Sequence, residues 1–128
     1  MLPIVEELLA LNQRLLECIA AADWHTYHEL CDPSLTAFEP ESQGHLVEGM
    51  EFHRFYFNLG GAGDSPHHTK MCAPEVRVMG DVAVIAYVRL SQRVDENDKP
   101  FTVAHAETRV WQRQDGRWRH VHFHRSEA

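Results

Sequence analysis

Hydrophobic positions follow two different periods along this chain, and the change between them falls near His67. In the first half they recur every three or four residues. Ile4, Leu8, Leu11, Leu15 and Ile19 form one stripe with Val5, Leu9 and Leu16 beside it, which predicts a helix over residues 4–21 with Pro3 in its opening turn. Asp23 is placed to cap a second helix that runs to about Cys31, with Trp24, Tyr27, Leu30 and Cys31 inward, and Asp32–Pro33 ends it. Leu35–Pro40 reads as a short strand, and Gly44 and Gly49 punctuate the turn after it. A third helix is expected over about Met50–Leu59, stopped by Gly60–Gly61. The segment 60–66, Gly-Gly-Ala-Gly-Asp-Ser-Pro, is expected to be the most flexible stretch and a disordered loop.

From His67 onward the period is two. Strands are predicted at about 67–79, 82–94, 100–113 and 117–125, with turns at Gly80–Asp81, 95–99 and Asp115–Gly116. Helices first and an antiparallel meander afterwards give an α+β chain, a single domain over 1–128 with helices on the concave side of a curved sheet.

The same alternation sorts the polar residues within strands. Ile85, Tyr87 and Arg89 share one face of their strand. His105, Glu107, Arg109 and Trp111 share a face of the next. In the last, Val121, Phe123 and Arg125 fall on one side, and Trp118, His120, His122 and His124 on the other, unless a β-bulge flips the register. Three arginines therefore interrupt three apolar strands. A buried guanidinium needs a partner, and three converging ones suit an anion such as a carboxylate. The alternatives are that alternation turns them to solvent, or that the chain's own acids pair with them; Glu39, Glu41, Glu48 and Glu107 are the candidates.

Charge sharpens that reading. The chain has 128 residues, 44% hydrophobic and 24% charged, with 19 acidic residues against 12 basic ones and a net charge of −7. Such a balance argues against nucleic acid or an anionic membrane as partner. No apolar run approaches the ~20 residues of a membrane span, and the N-terminal Met-Leu-Pro-Ile-Val-Glu-Glu lacks the pattern of a signal peptide, so a cytoplasmic location is expected. Cys18, Cys31 and Cys72 are widely spaced and read as reduced thiols. The His120-x-His122-x-His124 run suggests a surface or subunit-contact stripe rather than a metal site, because no carboxylate or cysteine completes a ligand set. His53 lies on a helix otherwise built for the core, and reads either as a satisfied core histidine or as a donor to a bound anion. Tyr27, Tyr56 and Tyr87 could offer hydroxyls to the same site.

Three stretches of residues then carry a resemblance. Cys31-Asp32-Pro33-x-Leu35-Thr36-Ala37-Phe38-Glu39-Pro40-Glu41, Leu46-Val47-Glu48-Gly49-Met50-x-Phe52-His53-Arg54-Phe55-Tyr56-Phe57 and the arginine strands from Ile85 to Ser126 closely resemble the association (hub) domain of calcium/calmodulin-dependent protein kinase II. The resemblance covers about residues 4–126. It implies the cone-shaped nuclear-transport-factor-2-like fold, shared with SnoaL-like proteins and ketosteroid isomerases. It implies self-assembly, to a dimer at least and up to a ring of stacked dimers. It also implies a carboxylate pocket that maps here to Arg89, Arg109, Arg125 and His53, with Tyr27 beside them and Glu107 and Tyr87 behind as support or general base. No kinase segment, calmodulin-binding segment or linker precedes the first helix, and the 60–66 and 95–100 segments depart from the family pattern, so the chain is expected to be a free-standing relative, bacterial for example, without kinase activity, cofactor or metal. The alternative is an isomerase- or dehydratase-like enzyme of the same fold, with Glu107, Tyr87 or His53 as base.

Overall fold

A computed structural model describes residues 3–128; Met1 and Leu2, where the N-terminal reading begins, lie outside the described residues. The elements follow in the order α1 (Ile4–Ala20), α2 (Trp24–Leu30), β1 (Cys31–Phe38), β2 (Val47–Glu48), α3 (Glu51–Asn58), β3 (His68–Met79), β4 (Val82–Val94), β5 (Pro100–Gln114) and β6 (Arg117–Glu127). The six strands form one sheet in the order β2-β1-β6-β5-β4-β3, antiparallel except where β1 runs parallel to β6. The class is α+β, as the two periods predict.

Local chemistry accounts for the boundaries. Asp23 accepts from the Thr26 backbone N–H at 3.1 Å, an N-cap whose removal costs about 1 kcal/mol. A short 3-10 turn at Pro40–Ser42 follows β1, closed by reciprocal bonds between Glu39 and Ser42, and leaves through Gln43 at φ 53° and Gly44 at φ 83°. That turn presents Glu39 and Glu41 to one end of the sheet.

One face of the sheet is covered and the other is bare. Helix α1 packs on β3, and α2 on β1 and β6. Leu8, Leu15 and Leu16 of α1 bury fully against Ile85, Trp111 and Leu35, each stabilising the fold by about 1.5–3 kcal/mol. The opposite face carries Val84, Val88 and Leu90 of β4 and Ala104, Ala106 and Val110 of β5, half-buried by one another alone. No described helix is long and apolar enough to cross a membrane.

Two sequence expectations are corrected. The register between β5 and β6 slips at Val110/Trp111, because Trp111 pairs with His120 while Val110 pairs with His122. Val121 is thus bulged, so Trp118 and His120 face inward as Phe123 and Arg125 do. His120 is completely buried and belongs to no surface stripe, while His122 and His124 stay on the bare face. Second, the 60–66 segment is anchored at its start, at Gly61 and Ala62. The Ala62 N–H donates to Ala20 O at 3.0 Å, and Gly61 lies so close to the end of α1 that a Cβ there would sit 2.4 Å from the Ala20 carbonyl oxygen.

Candidate functional site

A cavity of about 400 Å³ opens between the inner face of the sheet, α3 and the pinned 59–61 segment. Arg89 comes to it from β4, Arg109 from β5, Arg125 from β6, His53 from α3 and Tyr27 from α2. Inward alternation accounts for Arg89 and Arg109. Arg125 joins them because the bulge at Val121 restores the inward phase after His120. The apolar part of the wall is Ile19, Phe57, Leu59 and Phe123, and Arg93 and Tyr56 stand at the rim.

The floor is a buried polar network centred on Glu107 Oε1; Glu107 Oε2 has no hydrogen-bond partner among the described residues. Glu107 is 2% exposed and Arg109 1%. Arg109 Nε donates to Glu107 Oε1 at 3.2 Å and to the Tyr87 hydroxyl at 3.0 Å, and Nη2 lies 3.2 Å from the same carboxylate oxygen. The Tyr87 hydroxyl in turn donates to Glu107 Oε1 at 2.6 Å. Asn12 Nδ2 donates to that hydroxyl at 3.0 Å, while Asn12 Oδ1 accepts from Trp111 Nε1 at 3.0 Å. On the other side Arg109 Nη1 faces His120 Nε2 at 3.4 Å. Arginine can only donate, so Nε2 is the acceptor and the ring proton sits on Nδ1, which faces Cys31 Sγ at 3.4 Å. The Arg109 guanidinium also lies 4.3 Å over the Phe123 ring.

Electrostatics follow from these contacts. Burial alone would push the Glu107 carboxyl up, but the Arg109 and Arg89 charges and the Tyr87 hydrogen bond hold it below the usual carboxylate range. Burial opposes the charge on Arg109, and Glu107 and the nearby Tyr87 more than restore it. Arg89 goes the other way: burial lowers its pKa, Glu107 opposes that shift, and Arg109 and Arg125 add to the lowering. Burial and the Arg109 charge keep His120 neutral.

The mouth is less complete. Arg89 Nε lies 3.2 Å from Glu107 Oε2, but the N–H is not aimed at it, so the pair has attraction without a hydrogen bond. Arg125 pairs with Glu41, and His53 Nε2 meets Glu39 Oε2 at 2.8 Å. No described residue accepts from Arg89 Nε or Arg125 Nε, and none bonds His53 Nδ1.

All five residues named as pocket residues thus line one cavity, and Tyr87 and Glu107 lie beneath it. Of the acids named as arginine partners, Glu41 and Glu107 meet arginines, Glu39 meets His53, and Glu48 is exposed on β2, away from them. Sequence reasoning missed Asn12, His120 and Arg93. Asn12 was detectable as the polar member of a stripe, four residues from both Leu8 and Leu16. Among the described residues no cluster of three or more His, Cys, Asp or Glu is arranged to hold a metal ion.

Residues 5–128 match the family described as the calcium/calmodulin dependent protein kinase II association domain. The chain belongs to this family. It is 50% identical over 123 residues to the rabbit (Oryctolagus cuniculus) calcium/calmodulin-dependent protein kinase type II subunit delta, covering 94% of this chain and 23% of the rabbit protein. The chain therefore spans about a quarter of that relative's length. The hub homology domain of the alga Chlamydomonas reinhardtii superposes with a TM-score of 0.89 at 48% identity, over 98% of this chain and 99% of the other. The association domain of the C. elegans kinase gives 0.88 at 46%, over 94% and 93%. A nuclear transport factor 2-like protein of Salmonella enterica, at 25% identity and a TM-score of 0.77 over 95% and 89%, shares the fold, so the association domain has the nuclear-transport-factor-2-like architecture.

Proposed function

We propose that the chain acts as a self-assembling association (hub) domain, single over 1–128 and without kinase activity of its own, whose arginine-lined cavity binds a small carboxylate in the cytoplasm. One observation carries the ligand: two residues lining one cavity, Arg89 and Arg125, each keep a buried guanidinium N–H without an acceptor. A buried donor left unmade costs about 1–3 kcal/mol, so an anion that completes these bonds gains what the apo fold forgoes. Charge points the same way. Around the cavity Arg89, Arg93, Arg109 and Arg125 outnumber the carboxylates of Glu39, Glu41 and Glu107 by one. The apolar wall suits a hydrocarbon body behind the charged head.

Self-assembly is supported by family membership and by the bare sheet face, where the outward valines, leucine and alanines of β4 and β5 meet no helix. A base catalyst of the same fold would need a carboxylate with an open lone pair toward the substrate. Glu107 Oε1 is bonded by Arg109 and Tyr87, and its Oε2 lies against the Arg89 charge without a hydrogen bond, so two guanidiniums favour its ionised form over a protonated one. With Glu39 on His53 and Glu41 on Arg125, the arrangement favours binding over proton abstraction.

Native mass spectrometry at cytosol-like salt tests the assembly: a dimer or larger ring is expected, and a monomer at micromolar concentration overturns it. For the pocket, 3-phenylpropanoate is expected to raise the melting temperature of the wild-type protein and not of Arg89→Gln, since a ligand of the folded state stabilises it. An equal rise in both sinks the assignment.

A further inference from the structure

Glu41 is the one carboxylate of the site that can leave it. Glu107 has no solvent exposure in its side chain, and Glu39 has 5%. Glu41 is 36% exposed, rides on the Pro40–Ser42 turn at the rim, and places Oε2 on Arg125 Nη2, whose own side chain is 17% exposed. The pair has the chemistry of a bound ligand: a carboxylate reaching over the rim onto a pocket arginine.

We infer that Glu41 is an internal competitor, occupying Arg125 in the empty site and setting the pocket's preference for singly charged acids. The inference rests on the carboxylate-pocket reading. An entering carboxylate takes over the Arg125 fork, where Nε is unpaired, and Glu41 swings toward water. The displaced charge stays attached to the rim and continues to act on the ligand. Counting guanidiniums against carboxylates, the cavity's four arginines and three carboxylates leave one positive charge, which a monoanion neutralises. A dianion brings one negative charge too many, because the four arginines, Arg93 at the rim among them, are already spent in that balance. Removing the Glu41 charge leaves two positive charges, and the balance moves toward dianions. Burial pushes the Glu41 carboxyl up, but the Arg125 hydrogen bond and charge, helped by His105, hold it below its ordinary range, in keeping with a charge already engaged in the apo site.

Glu41→Gln keeps the shape of the side chain and its place on the turn while removing the charge. Affinities are measured by calorimetry for 3-phenylpropanoate (one charge) and 2-phenylsuccinate (two charges) on wild type, Glu41→Gln and Arg125→Gln, with 3-phenylpropanamide as the neutral control. The carboxyl ¹³C resonance of Glu41 is followed in the wild type as ligand is added. The expected result is that Glu41→Gln binds the monoanion about threefold tighter, the scale of a partly exposed ion pair, and gains more for the dianion. The amide is expected to be unaffected, and the Glu41 resonance to move toward its free position on saturation. Binding by Glu41→Gln alone supports the competition most strongly. Monoanion binding that is equal in wild type and Glu41→Gln, or a Glu41 resonance that stays put at saturation, overturns the competitor role and leaves the pocket intact. Tighter binding without a change in the mono-to-dianion ratio overturns the selectivity. Failure of both acids to bind either protein overturns the pocket reading itself and this inference with it.

Discussion

The floor and the mouth of this cavity use the same residue types to opposite ends. On the floor, Glu107 and Arg109 are sealed from water, and every neighbour is committed: Tyr87 to Glu107, Asn12 to Tyr87 and Trp111, His120 to Arg109. At the mouth, Arg125 and Glu41 meet at the edge of solvent, Arg93 is exposed, and donors on Arg89 and Arg125 are unspent. The difference is one of dielectric and partner count. A buried ion pair held in a hydrogen-bond network is rigid and costly to break, because either partner alone is stranded. A rim pair in contact with water exchanges easily and stabilises little. The floor therefore belongs to the fold, holding Arg109 in place over Phe123, and the mouth is where a ligand can compete.

Cutting the floor should have the largest effect. Glu107→Gln leaves Arg109 and Arg89 without a buried counter-charge, and a loss of about 3–5 kcal/mol in urea unfolding is expected. A loss below 1 kcal/mol would mean that floor and mouth do not differ in kind. Acid should act on the same network. Both His120 and Glu107 have folded pKa values below their unfolded ones, so each contributes stability at neutral pH that disappears as pH falls. The loss sets in below about 6.5 through His120 and deepens below about 4.3 through Glu107. In the Glu107→Gln protein the second part of that loss should be missing. Next in size is Asn12→Leu, which keeps the volume but orphans Trp111 Nε1 and removes a donor to Tyr87; about 1–3 kcal/mol is expected from the same unfolding measurement.

How far these features could be read from sequence depends on whether the signal is local. The β4 alternation that turns Ile85, Tyr87 and Arg89 inward was legible because its register against β5 runs unbroken from Val82–Gln112 to Val94–Pro100. The same counting failed in β6. The bulge at Val121 is imposed by pairing with β5, and no residue type announces it, so His120 was placed at the surface when it lies beneath Arg109. Glycine content suggested a loose 60–66 segment. Gly61 is instead required by the close approach to Ala20, a contact between residues far apart in the chain. Asn12 shows the general limit: its position in the helical stripe was visible, but its partners lie 75 and 99 residues away.

The smallest expected effect falls at the mouth, and it sharpens the comparison best. Arg125→Gln removes a charge that is partly solvated and whose acid partner can turn to water, so unfolding should shift by less than about 1 kcal/mol, and the shift should shrink further in high salt. Glu41 has a lowered pKa, so its pairing contributes above the unfolded carboxylate value and is lost on acidification. The pH profile of Arg125→Gln should therefore differ from wild type only in the acid range and only slightly. A stability loss as large as that of Glu107→Gln would make Arg125 a structural residue and join the mouth to the floor. A small loss of stability, together with loss of the melting-temperature rise given by 3-phenylpropanoate, would separate holding the fold from holding a ligand, since a residue that supports only the fold cannot lose the second while keeping the first.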